Sequence, residues 1–426
     1  MSVTAARGFR ASGVVAGLKA SGKPDVALVV NDGPLAVAAG VFTTNRVVAA
    51  PVVWSRKIVE GLADTNTADG AAGSSDAGNL ADHGLSDHGP SDASPPGPRA
   101  VVLNSGSANA CTGTRGAEDA AATASHVAGL VGCESQQVLV CSTGVIGVPL
   151  DMPRLLAGTE AAARALDSTE QAGHDAAAAI MTTDTVSKED ALRVDSDAGQ
   201  WTIGGMIKGV GMLAPGMATM LAVVTTDAAI SSEAAQRALD AATARTLNRI
   251  NSDGCMSTND TALLLASGAS GVAPDQAELD AAVEEILALL GGRLVADAEG
   301  ATHDIAITVT GAASEAAAEA AARTVSASNL LKCAVAGGDP NWGRVLSQLG
   351  TVPEDVCPFD PDEVDVAING VTIFRHGGIG EDRELVDMSP RETRIDIDLG
   401  AGGGKATVWT NDLTHGYVTI NADYTT

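Results

Sequence analysis

Thr219 stands where a turn meets an apolar run, in "GMLAPGMATMLAVV" (Gly211 to Val224). A hydroxyl is a weak nucleophile until a base takes its proton. An α-amino group, with a pKa of roughly 7.7–8.0, is a suitable base. If the chain is cut before Thr219, one residue holds both groups, as in catalysts that work from an N-terminal threonine. The neighbouring residues favour such a cut. Pro215-Gly216 can set a tight turn, Ala218 leaves its carbonyl uncrowded, and β-branching restricts the Thr219 side chain. The plain alternative is a threonine that merely opens a strand.

Acyl transfer by this route also needs donors for the charge that develops on the attacked carbonyl oxygen. "VLVCSTGVIG" (Val138 to Gly147) runs a strand into Thr143-Gly144, a hydroxyl donor beside a glycine that lets a substrate approach the backbone. Taken alone, this pair also reads as a strand-end turn. Other familiar machinery is missing. "GAGGGKAT" (Gly400 to Thr407) departs from phosphate-loop spacing at Leu399 and Ala406, and it joins two strand-like runs as a hairpin loop would. "NSDG" (Asn251 to Gly254) lacks the alternating oxygen ligands of a calcium loop. There is no HExxH and no GxSxG, and no metal site is expected. His83 and His88, in repeated Asp-His-Gly triplets, read as surface residues rather than a metal tether.

Short apolar runs and alanine-rich stretches must position these groups. Strands are expected at "DVALVV", "LAVAAGVF", "RAVVLN", "QVLVCS", "TMLAVVTT", "HDIAITVTG", "EVDVAINGVTIF", "RIDIDLG", "KATVWT" and "YVTINADY". Several alternate with period two, as Ile395 and Ile397 do against Asp396 and Asp398, which marks one solvated face. Helices are expected over Glu118 to Val131, Pro153 to Ala165, Ser231 to Thr246, Pro274 to Leu290 and Ala313 to Val335. This pattern fits an α+β layered body better than a doubly wound sheet, with a boundary near Thr226 to Ser231 or Ala336 to Pro340. Asp64 to Pro98, rich in Gly, Ser, Asp and Pro, is expected to be a disordered surface insertion.

Composition narrows the partners. Of 426 residues, 45% are hydrophobic but only 2% aromatic, so the core must be aliphatic. With 26 basic and 53 acidic residues the net charge is −27, which disfavours nucleic acid and anionic membranes. Six cysteines without a CxxC pair fit a reducing compartment. Lys19 interrupts the N-terminal apolar patch, so no signal peptide is expected, and no run reaches the roughly 18 apolar residues of a membrane helix. A cytoplasmic enzyme is the expectation.

Several motifs together carry a resemblance. "KGVGMLAPGMATMLAVVTTDA" (Lys208 to Ala228) resembles the self-cleavage segment of the ornithine acetyltransferase family, the glutamate N-acetyltransferases of arginine biosynthesis. "CSTGVIG" (Cys141 to Gly147), "IMTTDT" (Ile180 to Thr185), "NRINSDGCMSTNDT" (Asn248 to Thr261), "GGDPNWGR" (Gly337 to Arg344) and "INADYTT" (Ile420 to Thr426) are similar to that family in the same order. The likeness implies an αββα-type layered sandwich, shared with aminopeptidase relatives. It further implies autocleavage between Ala218 and Thr219 into chains of residues 1–218 and 219–426, assembled as α2β2. Acetyl would pass from N2-acetylornithine to Thr219 and then to glutamate, without a bound cofactor. Acetyl-CoA is a second donor in bifunctional members. Thr143 and Gly144 match the family's oxyanion hole. Thr185, Lys208, Thr219, Glu299, Asn421 and Thr426 match its substrate contacts, with Thr182 and Thr183 as competitors of Thr185.

Lys208 can meet a substrate carboxylate and Glu299 a side-chain ammonium. "GGDPNWGR" reads structurally: Asp339 caps a helix, Pro340 is its first residue and Trp342 packs behind. "NSDGCMSTNDT" reads as a loop and helix start capped by Ser257 or Asn259. Ser107 departs from the family, which carries Asn there. A self-processed aminopeptidase or amidase using the same threonine is the competing enzyme. A non-enzymatic acidic binding protein would keep the chain uncut.

Overall fold

The computed structural model describes residues 2–69, 97–214 and 220–423. In chain order its first half runs β1 (Phe9–Val14), β2 (Val26–Asn31), β3 (Val37–Phe42), α1 (Ala50–Asp69), β4 (Ala100–Ser107), α2 (Gly113–Val131), β5 (Val138–Val145), α3 (Met152–Arg164), α4 (Glu170–Ala179), β6 (Lys188–Ser196) and β7 (Gly199–Lys208). Then come β8 (Leu221–Thr226), α5 (Ser232–Arg245), β9 (Thr261–Ala266), α6 (Gln276–Ala296) and β10 (Asp304–Ala312). The chain closes with α7 (Glu315–Ser326), α8 (Asn329–Ala336), α9 (Trp342–Leu349), β11 (Asp365–Ile368), β12 (Val371–Arg375), β13 (Gly378–Ile379), β14 (Glu392–Asp398), β15 (Gly404–Asn411) and α10 (His415–Asp423).

Two sheets form a sandwich: a four-stranded one in the order β1-β2-β4-β5 and a five-stranded one in the order β3-β9-β8-β7-β6. The side-chain period of two divides each strand between two cores. On the first sheet, Val26, Leu28 and Val30 face Ala124 and Val127 of α2 and Leu155 of α3. Their neighbours Ala27 and Val29 face inward, toward Leu221, Val223, Leu263 and Leu265 of the second sheet. The other face of that second sheet, through Ala222, Val224 and Leu264, packs on α5 and α6. Helix, sheet, sheet and helix are thus stacked by continuous apolar strands that need a cover on both sides. This is an α+β layered fold.

A third sheet, of six strands in the order β13-β12-β11-β14-β10-β15, has its own core beneath α7, α8 and α9. The cores change between Ala298 and Ile305, so neither Thr226–Ser231 nor Ala336–Pro340 separates them. β14 alternates exposed and buried residues, as Ile395 and Ile397 lead one to expect. β10 lies between β14 and β15, however, so Gly400 to Thr407 spans an intervening strand and is no hairpin loop.

Local chemistry explains the other departures. The helix expected over Ala313 to Val335 is two helices, because Ser328 accepts a hydrogen bond from the Leu331 N–H and starts a new one. α9 is capped by Asn341, which accepts from Arg344 N; Asp339 instead binds Arg383, and Trp342 stacks on Phe374 at 4.9 Å. "NSDGCMSTNDT" leads into strand β9, not a helix. "YVTINADY" was expected as a strand, but the chain is helical through Asp423; the Thr414 hydroxyl caps that turn by accepting from Tyr417 N at 3.2 Å. α1 continues to Asp69, into the segment expected to lack structure, while 70–96, with His83 and His88, lie outside the described residues. No described helix is long and apolar enough to cross a membrane.

Candidate active site

The strand ends of the sandwich gather polar groups that are otherwise rare in its interior. β5 delivers Thr143, and β7 delivers Lys208; both are buried. The Lys208 ammonium donates to the Thr143 hydroxyl oxygen at 3.0 Å. That geometry occupies a lone pair on Oγ1 and leaves the Thr143 hydrogen free to donate to a substrate oxygen. Gly144 packs against Gly106 of the neighbouring strand, and a Cβ there would lie 2.4 Å from the Gly106 carbonyl carbon. With φ at +127°, the position is also closed to other residues by backbone conformation.

Burial pushes the Lys208 ammonium below its usual pKa, and Asp184 is the strongest opposing charge. Burial also works against the Asp184 carboxylate, yet Lys208 and Lys188 outweigh it and hold its pKa at about 2. Lys188 is itself clamped, donating to Asp184 at 2.7 Å and to Asp297 at 2.6 Å. The two lysines therefore differ: Lys188 is bound by two carboxylates, whereas the hydrogen-bond partner of Lys208 among the described side chains is Thr143.

Glu299 follows α6 and meets the same cluster. Thr183 donates to its Oε1 at 2.9 Å, and Asn421 of α10 donates to its Oε2 at 3.0 Å. Its carboxylate lies against Gly211, where a Cβ would come within 2.7 Å of Oε2. Lys208 and Glu299 also interact electrostatically. Thr185 is set apart from them; its exposed hydroxyl and its N–H both donate to Asp297. Of the threonines in "TTDT", Thr183 is the one that reaches Glu299. Thr426 and the segment 215–219, with Ala218 and Thr219, lie outside the described residues.

Both flanks of that segment are firmly held. On the near side, Gly209 N donates to Asp184 at 2.8 Å and Met212 N to Asp253 at 2.7 Å, while the Leu213 carbonyl accepts from Ser252 N at 2.6 Å. On the far side, Met220 N donates to Asp260 at 3.1 Å and its carbonyl accepts from Thr261 N at 3.1 Å. The loop 251–260 also reaches β5, since Asn259 Nδ2 donates to the Ser142 carbonyl at 2.9 Å and to the Ala108 carbonyl at 2.6 Å. One loop thus holds the strand end that carries Thr143 together with Met212, Leu213 and Met220.

A model of the ArgJ family matches residues 10–426. The chain belongs to the ArgJ family. It is 54% identical over 426 residues to the arginine biosynthesis bifunctional protein ArgJ of Bifidobacterium longum and 52% identical over 424 residues to that of Streptomyces coelicolor, with 100% of each chain covered. A crystallised ornithine acetyltransferase of Mycobacterium tuberculosis, complexed with ornithine, is 42% identical and covers 52% of this chain and 96% of that one, at a TM-score of 0.41.

Within this ArgJ-family chain, sequence reasoning gave no role to three acids that hold the site, Asp184, Asp253 and Asp260, and read Asn259 as a helix cap although it ties β5 to the loop. A signal was present for Asn259 and Asp260, since "STND" places polar residues at the mouth of "TALLLA", a strand buried along its whole length. Buried polar side chains in such a place need partners. Ser107 is hydrogen-bonded on both sides: its hydroxyl donates to the Val148 carbonyl at 2.8 Å and accepts from Asn109 N at 3.2 Å.

Proposed function

We propose that this protein transfers an acetyl group from N2-acetylornithine to glutamate by a ping-pong mechanism, after the chain is cut between Ala218 and Thr219. The observation that carries this reading is the Lys208–Thr143 contact beside Glu299, at the strand ends that flank Thr219. In the proposed reaction, the free amino group of Thr219 takes the proton of its own hydroxyl, and Oγ1 attacks the acetyl carbonyl. Thr143 and the backbone at Gly144 receive the oxyanion. Lys208 attracts the substrate carboxylate, and Glu299, oriented by Thr183 and Asn421, receives the ornithine side-chain ammonium. Ornithine leaves, glutamate enters, and its amino group takes the acetyl from Thr219.

The names of the bifunctional relatives support acetyl-CoA as a further donor, and the ornithine complexed with the Mycobacterium tuberculosis enzyme supports the donor amino acid. Thr185 and Thr426 are carried as further substrate contacts. Two copies of each half, 1–218 and 219–426, would form the active α2β2 enzyme, working in the cytoplasm without a bound cofactor. Denaturing intact mass with N-terminal sequencing tests the first step: two chains are expected, the second beginning Thr-Met-Leu-Ala. Acetyl-transfer assays test the second. Hydrolysis of acetylornithine at a rate indifferent to glutamate would instead identify an amidase, and a single stable chain would remove the nucleophile's base.

A further inference from the structure

The two amino acids of the proposed reaction differ at the far end of the side chain. Ornithine ends in an ammonium, which suits Glu299, whereas glutamate ends in a carboxylate, which Glu299 repels. Lys208 meets the α-carboxylate that both share, so glutamate calls for a second cation. Lys188 is committed elsewhere, because Asp184 and Asp297 both bind its ammonium. Lys19 is better placed. Its Nζ donates to the Met181 carbonyl at 2.9 Å, and among the described residues no carboxylate pairs with it.

The fold holds Lys19 at the edge of the site from two directions. The buried Asp25 carboxylate accepts the N–H groups of Ala16 at 2.6 Å, Leu18 at 2.6 Å and Lys19 at 3.0 Å, which fixes the turn 16–19. That turn packs on β4 beside β5: a Cβ at Gly106 would come within 3.1 Å of the Leu18 carbonyl oxygen, and Gly106 pairs with Gly144. On its other side the Lys19 ammonium reaches Met181, two residues from Thr183, whose hydroxyl donates to Glu299. Lys19 also interacts electrostatically with Asp184 and Lys208. An ammonium has three N–H donors, and Met181 takes one. Lys19 is half-buried, and burial pushes its pKa below the ordinary lysine value, with Asp25 the largest opposing charge. A cation that has shed water without gaining a counter-ion gains most from an arriving anion.

We propose that Lys19 selects the acceptor, its ammonium pairing with the side-chain carboxylate of glutamate while Lys208 holds the α-carboxylate. The inference rests on the acetyl transfer proposed above. The site then offers each amino acid its own counter-charge: the ornithine ammonium turns to Glu299 and the glutamate carboxylate to Lys19. Segment 181–184 stands between the two, carrying the acceptor for Lys19 and the donor to Glu299. Neither charged group has to change its protonation between the halves of the cycle. Glutamine has the length of glutamate but no side-chain charge, so it forgoes this ion pair alone.

The test compares glutamate with glutamine as acceptors of acetyl from N2-acetylornithine, in the wild type, Lys19→Met and Lys19→Arg. In a ping-pong scheme, kcat/KM for each substrate reports its own half of the cycle. The wild type is expected to prefer glutamate. In Lys19→Met that preference should shrink by at least about 10-fold, the low end for losing a hydrogen bond to a charged group. The kcat/KM for N2-acetylornithine should not fall with it, and Lys19→Arg should keep most of the preference. A wild type indifferent to the two acceptors, an unchanged preference in Lys19→Met, or a parallel fall for donor and acceptor would overturn the proposal while leaving acetyl transfer in place. A crystal structure of the wild type with glutamate decides the matter even if Lys19→Met does not fold. The side-chain carboxylate is expected beside Lys19 Nζ, and its pairing with another group would overturn the assignment. A wild type that passes acetyl to neither amine is a different outcome, for it removes the proposed function itself.

Discussion

The sandwich and the third sheet treat charge in opposite ways. In the sandwich, β2, β8 and β9 are buried along their whole length, yet Asp184, Lys188, Lys208 and Asp260 lie inside around the strand ends. In the third sheet, β14 buries Thr393, Ile395 and Ile397 and turns Arg394, Asp396 and Asp398 to solvent. Charge at the surface costs little and keeps an acidic protein soluble. Charge inside a double-faced core loses its hydration and survives only with partners. The difference teaches where to look for chemistry: at strand ends where a costly interior charge is retained.

The largest stability effect should come from removing the clamped cation. Lys188→Met leaves Asp184 and Asp297 without their bridging ammonium, and breaking such a buried pair typically costs about 3–5 kcal/mol. Denaturant unfolding should show a lower midpoint with an unchanged slope. Lys208→Met should divide differently. Its loss withdraws the donor from Thr143; if Thr143 serves the oxyanion as proposed, kcat should fall by about 10²–10³-fold. Steady-state acetyl transfer by the folded variant checks this. Equal behaviour of the two variants would break the distinction between a clamping and a working lysine.

Acid should reveal the same interior charge. The Asp184 carboxylate has a folded pKa of about 2 against an ordinary value of 3.8. A carboxylate depressed on folding stabilises the protein fully above its unfolded pKa, and that contribution is lost as pH falls through the folded one. A shift of this size corresponds to about 2 kcal/mol, lost between about pH 4 and pH 2. Urea midpoints measured across that window should fall less steeply in Asp184→Asn than in the wild type.

The contrast between the two regions also explains what could be read from sequence. Period-two alternation at Ile395 and Ile397 shows on the page because solvent enforces it, and the runs "VALVV" and "LAVV" are apolar enough to mark buried strands. The β6–β7 hairpin was passed over although "DSDAGQ" carries a turn signal between Val194 and Trp201. The C-terminal helix was misread because β-branched residues in "YVTI" favour strands, while its helical form depends on Thr414 and on a glycine, Gly300, that lets Tyr417 come close. At the site, Thr143, Gly144, Lys208 and Asn421 lie in the ordered motifs, and Glu299 comes with the resemblance alone. Asp184 and Asp260 lie inside two of these motifs, yet sequence assigns them no role, because a carboxylate's value there arises from burial and from lysines and backbone groups brought near by the fold.

The smallest effect should lie in the third sheet, and it tests the comparison from its other side. Asp396 faces solvent from β14, beside Thr308 of β10 and Ala367 of β11. Neither neighbour offers a charge to pair with it, and solvent hydrates it in the native and unfolded chain alike. Asp396→Asn should therefore change stability by no more than about 0.5 kcal/mol and leave acetyl transfer unaltered. Thermal unfolding and a transfer assay on the same preparation measure both. A large loss of activity would mean that this face is coupled to the site through the loop 250–260, which joins the two regions where Asn251 N donates to the Trp409 carbonyl at 2.8 Å. The near-neutral outcome is the one the physics favours, because a charge that keeps its water on folding has nothing to gain or lose from the fold.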